Sequence, residues 1–220
     1  MPEPIKNKVF LVDDHPLVRE WLTNLIHQEE NLVVCGEAED APEALRGIDK
    51  TRPDVIIVDI SLKGSSGIEL IKTVRHRIPT AAIIVLSMHD ENLYAERAIR
   101  AGARGYVMKR ETAQKIIAGI QRVLKGEMYF SEHIANSFAK KFVGGPMAAT
   151  ATPMESLSDR ELEVFNLLGQ GFETRRIAES LNVSIKTVQA YCARIREKLH
   201  ISNGLELLRE AIRWHDQSPG

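Results

Sequence analysis

The chain has 220 residues, of which 44% are hydrophobic and 27% are charged, and its net charge is −1. This composition is that of an ordinary globular protein, and the length suffices for two small domains with separate cores. No run of about eighteen apolar residues is present, which excludes a membrane-spanning helix and a membrane as partner. Residues 1–9 do not match a secretion signal. The two cysteines, Cys35 and Cys192, form no disulfide framework and indicate reduced thiols, so we expect a cytoplasmic location.

Short β-branched runs alternate with amphipathic stretches from residue 8 to about 125. Because strands that alternate with helices form parallel sheets covered on both faces, we expect an α/β domain with a five-stranded parallel sheet. The predicted strands are Val9–Val12, Leu32–Cys35, Val55–Val58, Ile83–Leu86 and Tyr106–Met108, and the predicted helices include Leu17–Ile26, Ile68–Val74 and Leu93–Ala101.

The pattern changes after the alternating region. A helix is predicted at Ser131–Phe142, and the stretch Val143–Ser156 is rich in Gly, Pro, Ala and Thr, which is typical of a linker. The sequence that follows has only helical periodicity. We therefore expect an α/β domain at 1–128, a helical extension and linker at 129–155, and a small all-α domain at 156–220.

Polar side chains follow four of the five predicted strands, at the edge of the sheet where ligands of parallel sheets bind. Three carboxylates at one edge repel one another unless a cation joins them, and hard oxygen ligands suit Mg²⁺. A carboxylate can form an acyl phosphate, while a lysine and a hydroxyl stabilise the phosphoryl oxygens. The residues at the strand ends are Asp13, Asp14, Asp59, Ser87 and Lys109.

Each of these residues alone is as typical of a turn or a helix cap as of a catalytic site. The helix that begins at Pro16 needs a cap that Asp14 could provide, and Lys109 could be a solvated loop charge. Only the whole set favours phosphoryl transfer. His15 and His89 lie beside the same edge, and we interpret both as rim residues because a site of hard carboxylates seldom includes histidine.

Residues 8–125 resemble the receiver domain of two-component signalling, which has a flavodoxin-like (CheY-like) fold. The resemblance implies that a sensor histidine kinase phosphorylates Asp59. It also implies that Asp14, Asp59 and the backbone carbonyl of Ser61 bind Mg²⁺ directly, while Asp13 acts through water. The matching motifs are Phe10-Leu-Val-Asp-Asp-His-Pro, Val55-Ile-Ile-Val-Asp59, Val85-Leu-Ser87 and Gly105-Tyr-Val-Met-Lys109.

The same resemblance implies a switch. Ser87 would move toward the phosphoryl group and Tyr106 would swing inward behind it, while Lys109 contacts the phosphoryl oxygens. This motion would rearrange the face formed by the fourth helix, the fifth strand and the fifth helix of the domain.

The C-terminal region has the signals of a helix-turn-helix. Ser158 and Glu161 match a capping box, so a helix is predicted to begin there. A second helix is predicted at about Thr174–Leu181, a turn at Asn182, and a third helix after Ser184.

The third helix has two distinct faces at about 100° per residue. Val188, Cys192, Ile195 and Leu199 share the inward face, which favours packing over redox chemistry for Cys192. The outward face has small residues flanked by long polar ones, which suits entry into the major groove, and basic residues nearby suit phosphates. A merely solvated helix has the same period, and residues 155–220 are not basic, with nine Lys and Arg against ten Asp and Glu. The candidate DNA-binding residues are Arg175, Arg176, Lys186, Thr187, Gln189, Ala190, Ala193, Arg194, Arg196 and Lys198.

Residues 157–214 resemble the LuxR-type four-helix DNA-binding domain. A receiver joined to this domain resembles the NarL/FixJ-type response regulators, which implies a transcription factor that binds double-stranded DNA and becomes a homodimer when phosphorylated. It also implies that the protein catalyses only its own phosphorylation and dephosphorylation. The last helix, about Leu205–Trp214, would be the dimerisation helix, with Leu205, Leu208 and Ile212 on its apolar face. The motifs are Leu-Ser-Asp-Arg-Glu-Leu-Glu-Val, Ile-Ala-Glu-Ser-Leu, Lys-Thr-Val-Gln and Ile-Arg-Glu-Lys-Leu.

Two other functions fit parts of the sequence. The receiver-like domain could serve as a dimerisation or ligand module that does not depend on phosphorylation, but the intact set of acidic, hydroxyl and lysine residues argues against this. A phosphotransfer hydrolase with Asp59 as nucleophile is the third hypothesis. Such enzymes usually have a second acid two residues further on, where this chain has Ser61.

Overall fold

Five strands of the N-terminal unit form one parallel sheet in the order β2-β1-β3-β6-β7, which confirms the predicted fold class. The computed structural model describes residues 6–62, 64–88, 91–143 and 153–217. The chain divides into two units, at residues 1–140 and 141–220. The strands are β1 (Asn7–Val12), β2 (Leu32–Ala38), β3 (Val55–Val58), β4 (Ser61–Leu62), β5 (Ser65–Ser66), β6 (Ala82–Ser87) and β7 (Gly105–Met108).

Helices cover both faces of the sheet. Val9 and Leu11 of β1 belong to a buried cluster with residues of α1 and α5, while the ring of Phe10, on the opposite face, lies against Gly47 of α2. This alternation follows from the two-residue period of a strand. The helices that begin in this unit are α1 (Pro16–His27), α2 (Ala41–Thr51), α3 (Gly67–Arg77), α4 (Glu91–Ala101), α5 (Ala113–Leu124) and α6 (Glu132–Val143).

The stretch predicted to be a linker is helical at both ends. Val143 is the last residue of α6, and Pro153–Ser156 form a turn of 3₁₀ helix in which Ser156 Oγ donates a hydrogen bond to the Pro153 carbonyl. The stretch predicted as a linker therefore includes helical residues at both ends, where local hydrogen bonds compete with an open conformation. Residues 144–152 lie outside the described residues.

The C-terminal unit packs four helices around one core. The ring centroids of Phe165 and Trp214 lie 5.6 Å apart. A Cβ on Gly169 would meet the Ala211 carbonyl oxygen at 2.5 Å, so only glycine permits this approach between the first and last helices. The helices are α7 (Asp159–Gly169), α8 (Thr174–Ser180), α9 (Ile185–Lys198) and α10 (Gly204–Gln217).

Candidate acidic site and nucleic-acid interface

Backbone hydrogen bonds of the sheet continue into the acidic site. The backbone N of Asp13 donates to Ala38 O over 3.1 Å, and that of Asp59 donates to Val12 O over 2.8 Å. On the other side of the site, Lys109 N donates to Ser87 O over 2.9 Å. These bonds hold the side chains that follow the strands at fixed positions along one edge.

The ammonium of Lys109 lies between two carboxylates. Its Nζ is 2.6 Å from Asp13 Oδ2 and 2.7 Å from Asp59 Oδ2, and the two acidic side chains are only 4% and 5% exposed. Burial lowers the pKa of Lys109, but Asp59 and Asp13 outweigh this effect, so the pKa is raised above its ordinary value. Lys109 is therefore charged at neutral pH and neutralises part of the acidic cluster.

The acidic cluster has the donors that a hard cation prefers. Single ligand atoms from Asp13, Asp14, His15 and Asp59 all lie within 4.8 Å of one another. Asp14 Oδ1 is buried and has no hydrogen-bond partner among the described residues, although His15 Nδ1 lies 2.8 Å away, within ion-pair distance. An orphaned carboxylate oxygen beside two other acids fits a divalent cation.

The other residues expected near the cation occupy different positions. Ser61 belongs to β4, and its backbone N lies 3.4 Å from Asp59 Oδ1. The side chain of His15 is 65% exposed, at the rim of the site. His89 lies outside the described residues.

The predicted switch residues are both buried. The side chains of Ser87 and Tyr106 are hydrogen-bonded to each other, and Tyr106 is only 2% exposed. Burial is the main reason why the pKa of Tyr106 lies well above its ordinary value, and the charges of Asp59 and Glu91 add to the effect. In this structure Tyr106 therefore occupies the inward position.

Two supporting residues escaped the sequence reasoning. Arg19 Nη1 donates to the Asp13 carbonyl over 2.5 Å, while its Nε lies 3.3 Å from Glu37 Oε2, so α1 holds the acidic loop. A Cβ on Gly67 would lie 1.9 Å from the Asp59 carbonyl oxygen. In the sequence, Gly67 is marked only as a glycine that follows Asp59 by eight residues, and no sequence pattern indicates the role of Arg19.

The helix-turn-helix has the predicted local structure. Ser158 and Glu161 form the capping box reciprocally, and Ser184 accepts a hydrogen bond from Thr187 N at the start of α9. Asn182 has a φ of 51°, which the turn requires.

The inward face of α9 is buried unevenly. Val188 and Ile195 are fully buried. Cys192 and Leu199, on the same face, are only half-buried. The helix is therefore anchored by two apolar residues on its inward face.

The candidate DNA-binding residues differ in what they contact. Lys198 Nζ lies 2.7 Å from Glu161 Oε2, and Arg175 Nε lies 3.2 Å from Glu179 Oε1. The Arg176 guanidinium lies 4.2 Å from the Phe172 ring centroid.

The outward face of α9 is open. Arg194 lies over Tyr191 at 5.9 Å, Thr187 is half-buried, and its hydroxyl pairs with that of Ser184 over 2.8 Å. Arg196 is half-buried. Other residues of this face are exposed, and no hydrogen bond or ion pair of their side chains is found among the described residues. They are Lys186, Gln189, Ala190 and Ala193.

The last helix divides into two apolar faces. Leu207 and Ala211 are buried in the core of the unit. Of the predicted dimerisation residues, Leu205 is 60% exposed and Ile212 is 39% exposed, whereas Leu208 is half-buried. An apolar face on α10 is thus available to a partner.

Two family matches cover most of the chain. The family described as response regulator receiver domain matches residues 9–121, and the family described as bacterial regulatory proteins of the luxR family matches residues 155–211. The chain is also 31% identical, over 211 residues, to oxygen regulatory protein NreC of Staphylococcus epidermidis, covering 94% of this chain and 97% of that protein. The chain belongs to the LuxR-family response regulators.

Solved structures of response regulators resemble this one. RcsB from Salmonella enterica serovar Typhimurium, bound to a promoter in the presence of the phosphomimetic BeF3−, is 29% identical with a TM-score of 0.61, covering 94% of this chain and 98% of that one. A two-component response regulator of the LuxR family from Aurantimonas is 36% identical with a TM-score of 0.58, covering 63% of this chain and 99% of that one. Among the described residues of this response regulator, no helix is long and apolar enough to cross a membrane.

The Glu161–Lys198 pair should stabilise the C-terminal unit in a pH-dependent manner. Burial raises the pKa of Glu161, but hydrogen bonds from Lys198 and Ser158 outweigh it, so the pKa lies below its ordinary value of 4.5. The stabilisation is then present above pH 4.5 and is lost as the pH falls through the lowered pKa. We expect Glu161→Gln to reduce the free energy of unfolding by about 1 kcal/mol at neutral pH, at the lower end for a charged hydrogen bond because Lys198 is 38% exposed.

Denaturant unfolding at neutral and acidic pH measures this effect. The matched control is Glu210→Gln, because Glu210 pairs with Arg213 on the surface of α10. An equal destabilisation by Glu161→Gln at both pH values would contradict the role of the ion pair.

Proposed function

We propose that this response regulator accepts a phosphoryl group on Asp59 and that phosphorylation controls its binding to DNA. The observation that supports this most directly is the buried Lys109 ammonium, 2.7 Å from Asp59 and 2.6 Å from Asp13. Asp59 is a buried acid beside the Lys109 ammonium, and an Asp14 oxygen without a hydrogen-bond partner lies nearby. This arrangement is suited to receive a negatively charged phosphoryl group.

The phosphoryl donor in this proposal is a histidine of a sensor kinase. The bond between the donor's nitrogen and phosphorus breaks as a bond forms between phosphorus and a carboxylate oxygen of Asp59. Lys109 and the hydroxyl of Ser87 then bind phosphoryl oxygens. Tyr106, which lies inward behind Ser87, keeps the Ser87 hydroxyl in place beside the phosphoryl group.

Mg²⁺ is the cofactor that the acidic residues fit. When bound, it neutralises charge on the carboxylates and on the phosphoryl oxygens. Asp14, Asp59 and the Ser61 carbonyl would hold it directly, and Asp13 would hold it through water. Beyond its own phosphorylation and dephosphorylation, we assign the protein no enzymatic activity.

Helix α9 is the proposed reading helix for double-stranded DNA. The small side chains of Ala190 and Ala193 leave room for the major groove, where Gln189 and Arg194 reach base edges beside Lys186 and Thr187. The proposed phosphate contacts are Arg175, Arg176 and Arg196. Lys198 joins them only if its pair with Glu161 opens.

The proposed active form is a homodimer. Leu205, Leu208 and Ile212 of α10 would pair two copies on a two-fold DNA site after phosphorylation. We retain 1–128, 129–155 and 156–220 as the receiver domain, the connecting segment and the DNA-binding domain. A protein with these two partners works in the cytoplasm.

A DNA-binding selection with and without a small phosphodonor tests the proposal. Wild-type protein should select a two-fold site, and the phosphodonor with Mg²⁺ should increase its affinity for that site. Asp59→Asn removes the nucleophile, so it should abolish phosphoryl labelling of the protein by the phosphodonor. It should also abolish the increase in DNA affinity. The matched control is Asp49→Asn, which changes an exposed acid paired with Arg77. Persistent labelling of Asp59→Asn would disprove the assignment.

A further inference from the structure

Residues 128–131, between α5 and α6, form a short stretch that we call the edge segment. Tyr106 N donates to Tyr129 O and Tyr129 N donates to Arg104 O, each over 2.9 Å. These bonds form an isolated parallel bridge between Gly105 and Tyr129 along the outer side of β7, the last strand of the sheet. The edge segment therefore satisfies polar groups that an open strand edge would expose, and it does so on the strand that carries Tyr106.

Helix α5 fixes the ring of Tyr129. A Cβ on Gly119 would lie 3.0 Å from Tyr129 Cδ1, so the ring lies directly over the glycine. The guanidinium of Arg122 lies 6.0 Å from the ring centroid. The position of the edge segment is thus set by β7 and α5 together.

Helix α4 contacts the same segment. Glu91, the first residue of α4, accepts a hydrogen bond from Ser131 N over 3.0 Å. Ser131 directly precedes α6, and its Oγ accepts a hydrogen bond from Ile134 N over 3.3 Å. The charge of Glu91 also makes a small contribution to the raised pKa of Tyr106, after the larger effects of burial, Tyr94 and Asp59. The start of α4, the strand of Tyr106 and the start of α6 therefore meet at one place.

We infer that the edge segment carries the state of the Ser87–Tyr106 pair to helix α6, with the Glu91–Ser131 hydrogen bond as the link. This inference rests on the proposed function, in which α4 and β7 rearrange around Ser87 and Tyr106. A displacement of α4 must shift or break the bond between Glu91 and Ser131, and a displacement of β7 must shift or break the bond between Tyr106 and Tyr129. Both bonds end in the edge segment, which has only four residues. Glu91 is therefore a positioning residue for the edge segment. Helix α6 is the element that follows the edge segment in the chain, before the DNA-binding unit.

Three variants of the full-length protein test the link through the ratio of DNA affinities with and without phosphodonor. Glu91→Ala should lower this ratio about tenfold, the upper end for one hydrogen bond made in one state only. Glu91→Gln should keep the ratio, because its amide oxygen can accept the same bond. The matched control is Glu132→Ala on α6, since Glu132 is exposed and forms no hydrogen bond or ion pair among the described residues. Labelling of Asp59 should be unchanged in all three.

Amide hydrogen exchange gives a readout that is independent of DNA. The Ser131 amide should exchange faster in Glu91→Ala, and phosphorylation should change its exchange only in wild type, Glu91→Gln and Glu132→Ala. A wild-type affinity ratio in Glu91→Ala would overturn the inference. Equal losses in Glu91→Ala and Glu91→Gln would also overturn it, because the effect would then belong to the charge. A wild-type protein that binds DNA equally well with and without phosphodonor would instead overturn the proposed function.

Discussion

Lys109→Met should lower the rate of Asp59 labelling by a small phosphodonor by about 100-fold, the usual effect of removing one group that stabilises a transition-state charge. The ammonium lies between Asp13 and Asp59, where the phosphoryl oxygens must be accommodated. The same substitution should leave Mg²⁺ affinity equal or higher, because Lys109 repels a cation at the acidic cluster. Labelling kinetics and calorimetric Mg²⁺ titration measure these two opposite effects.

The matched control is Lys115→Met, which removes an exposed lysine of α5 that pairs with Glu111 before the helix. It should change neither measurement. Because the pKa of Lys109 is raised above 10.5, the ammonium stays charged until the pH passes that value, so the defect should be constant across the neutral range. Wild-type labelling by Lys109→Met would contradict the proposed role, as would a defect that depends on pH near neutrality.

Gly67→Ala should disturb the phosphorylation site from the backbone. Its Cβ would lie 1.9 Å from the Asp59 carbonyl oxygen and 2.8 Å from Ile60 Cα, so the loop after β3 must shift. We expect a loss of about 2–3 kcal/mol in the free energy of unfolding, as for other overpacked sites, together with slower labelling of Asp59. Denaturant unfolding and labelling kinetics measure the two effects.

Gly204→Ala is the control for this prediction. A Cβ on Gly204 meets nothing within 4 Å, and Gly204 begins α10, so alanine should be neutral or slightly stabilising. If Gly67→Ala is as stable as wild type and is labelled as fast, the close approach does not position Asp59.

Three of the five predicted strands of the parallel sheet end where the structure ends them, at Val12, Val58 and Met108. The residues that carry the chemistry could be predicted because a buried parallel strand is a short apolar run, and the first polar residue after it marks its carboxyl end. The predicted second strand, Leu32–Cys35, is too short, because β2 continues through Gly36 and Glu37 to Ala38. Strand β2 extends to Ala38 because Ala38 pairs with Val12 of β1. The hydropathy pattern of the sequence does not predict this pairing.

The sequence by itself determined the two domain types, the acidic residues with Ser87 and Lys109, and the caps of α7 and α9. These features depend on neighbours in the chain, through periodicity, capping and strand ends. Only the tertiary structure decided that Lys109 lies between two acids and that Lys198 pairs with Glu161. It alone placed Gly67 against Asp59 and the edge segment on Tyr106. Such contacts join residues that are not neighbours in the chain, and packing selects them, so no local pattern predicts them.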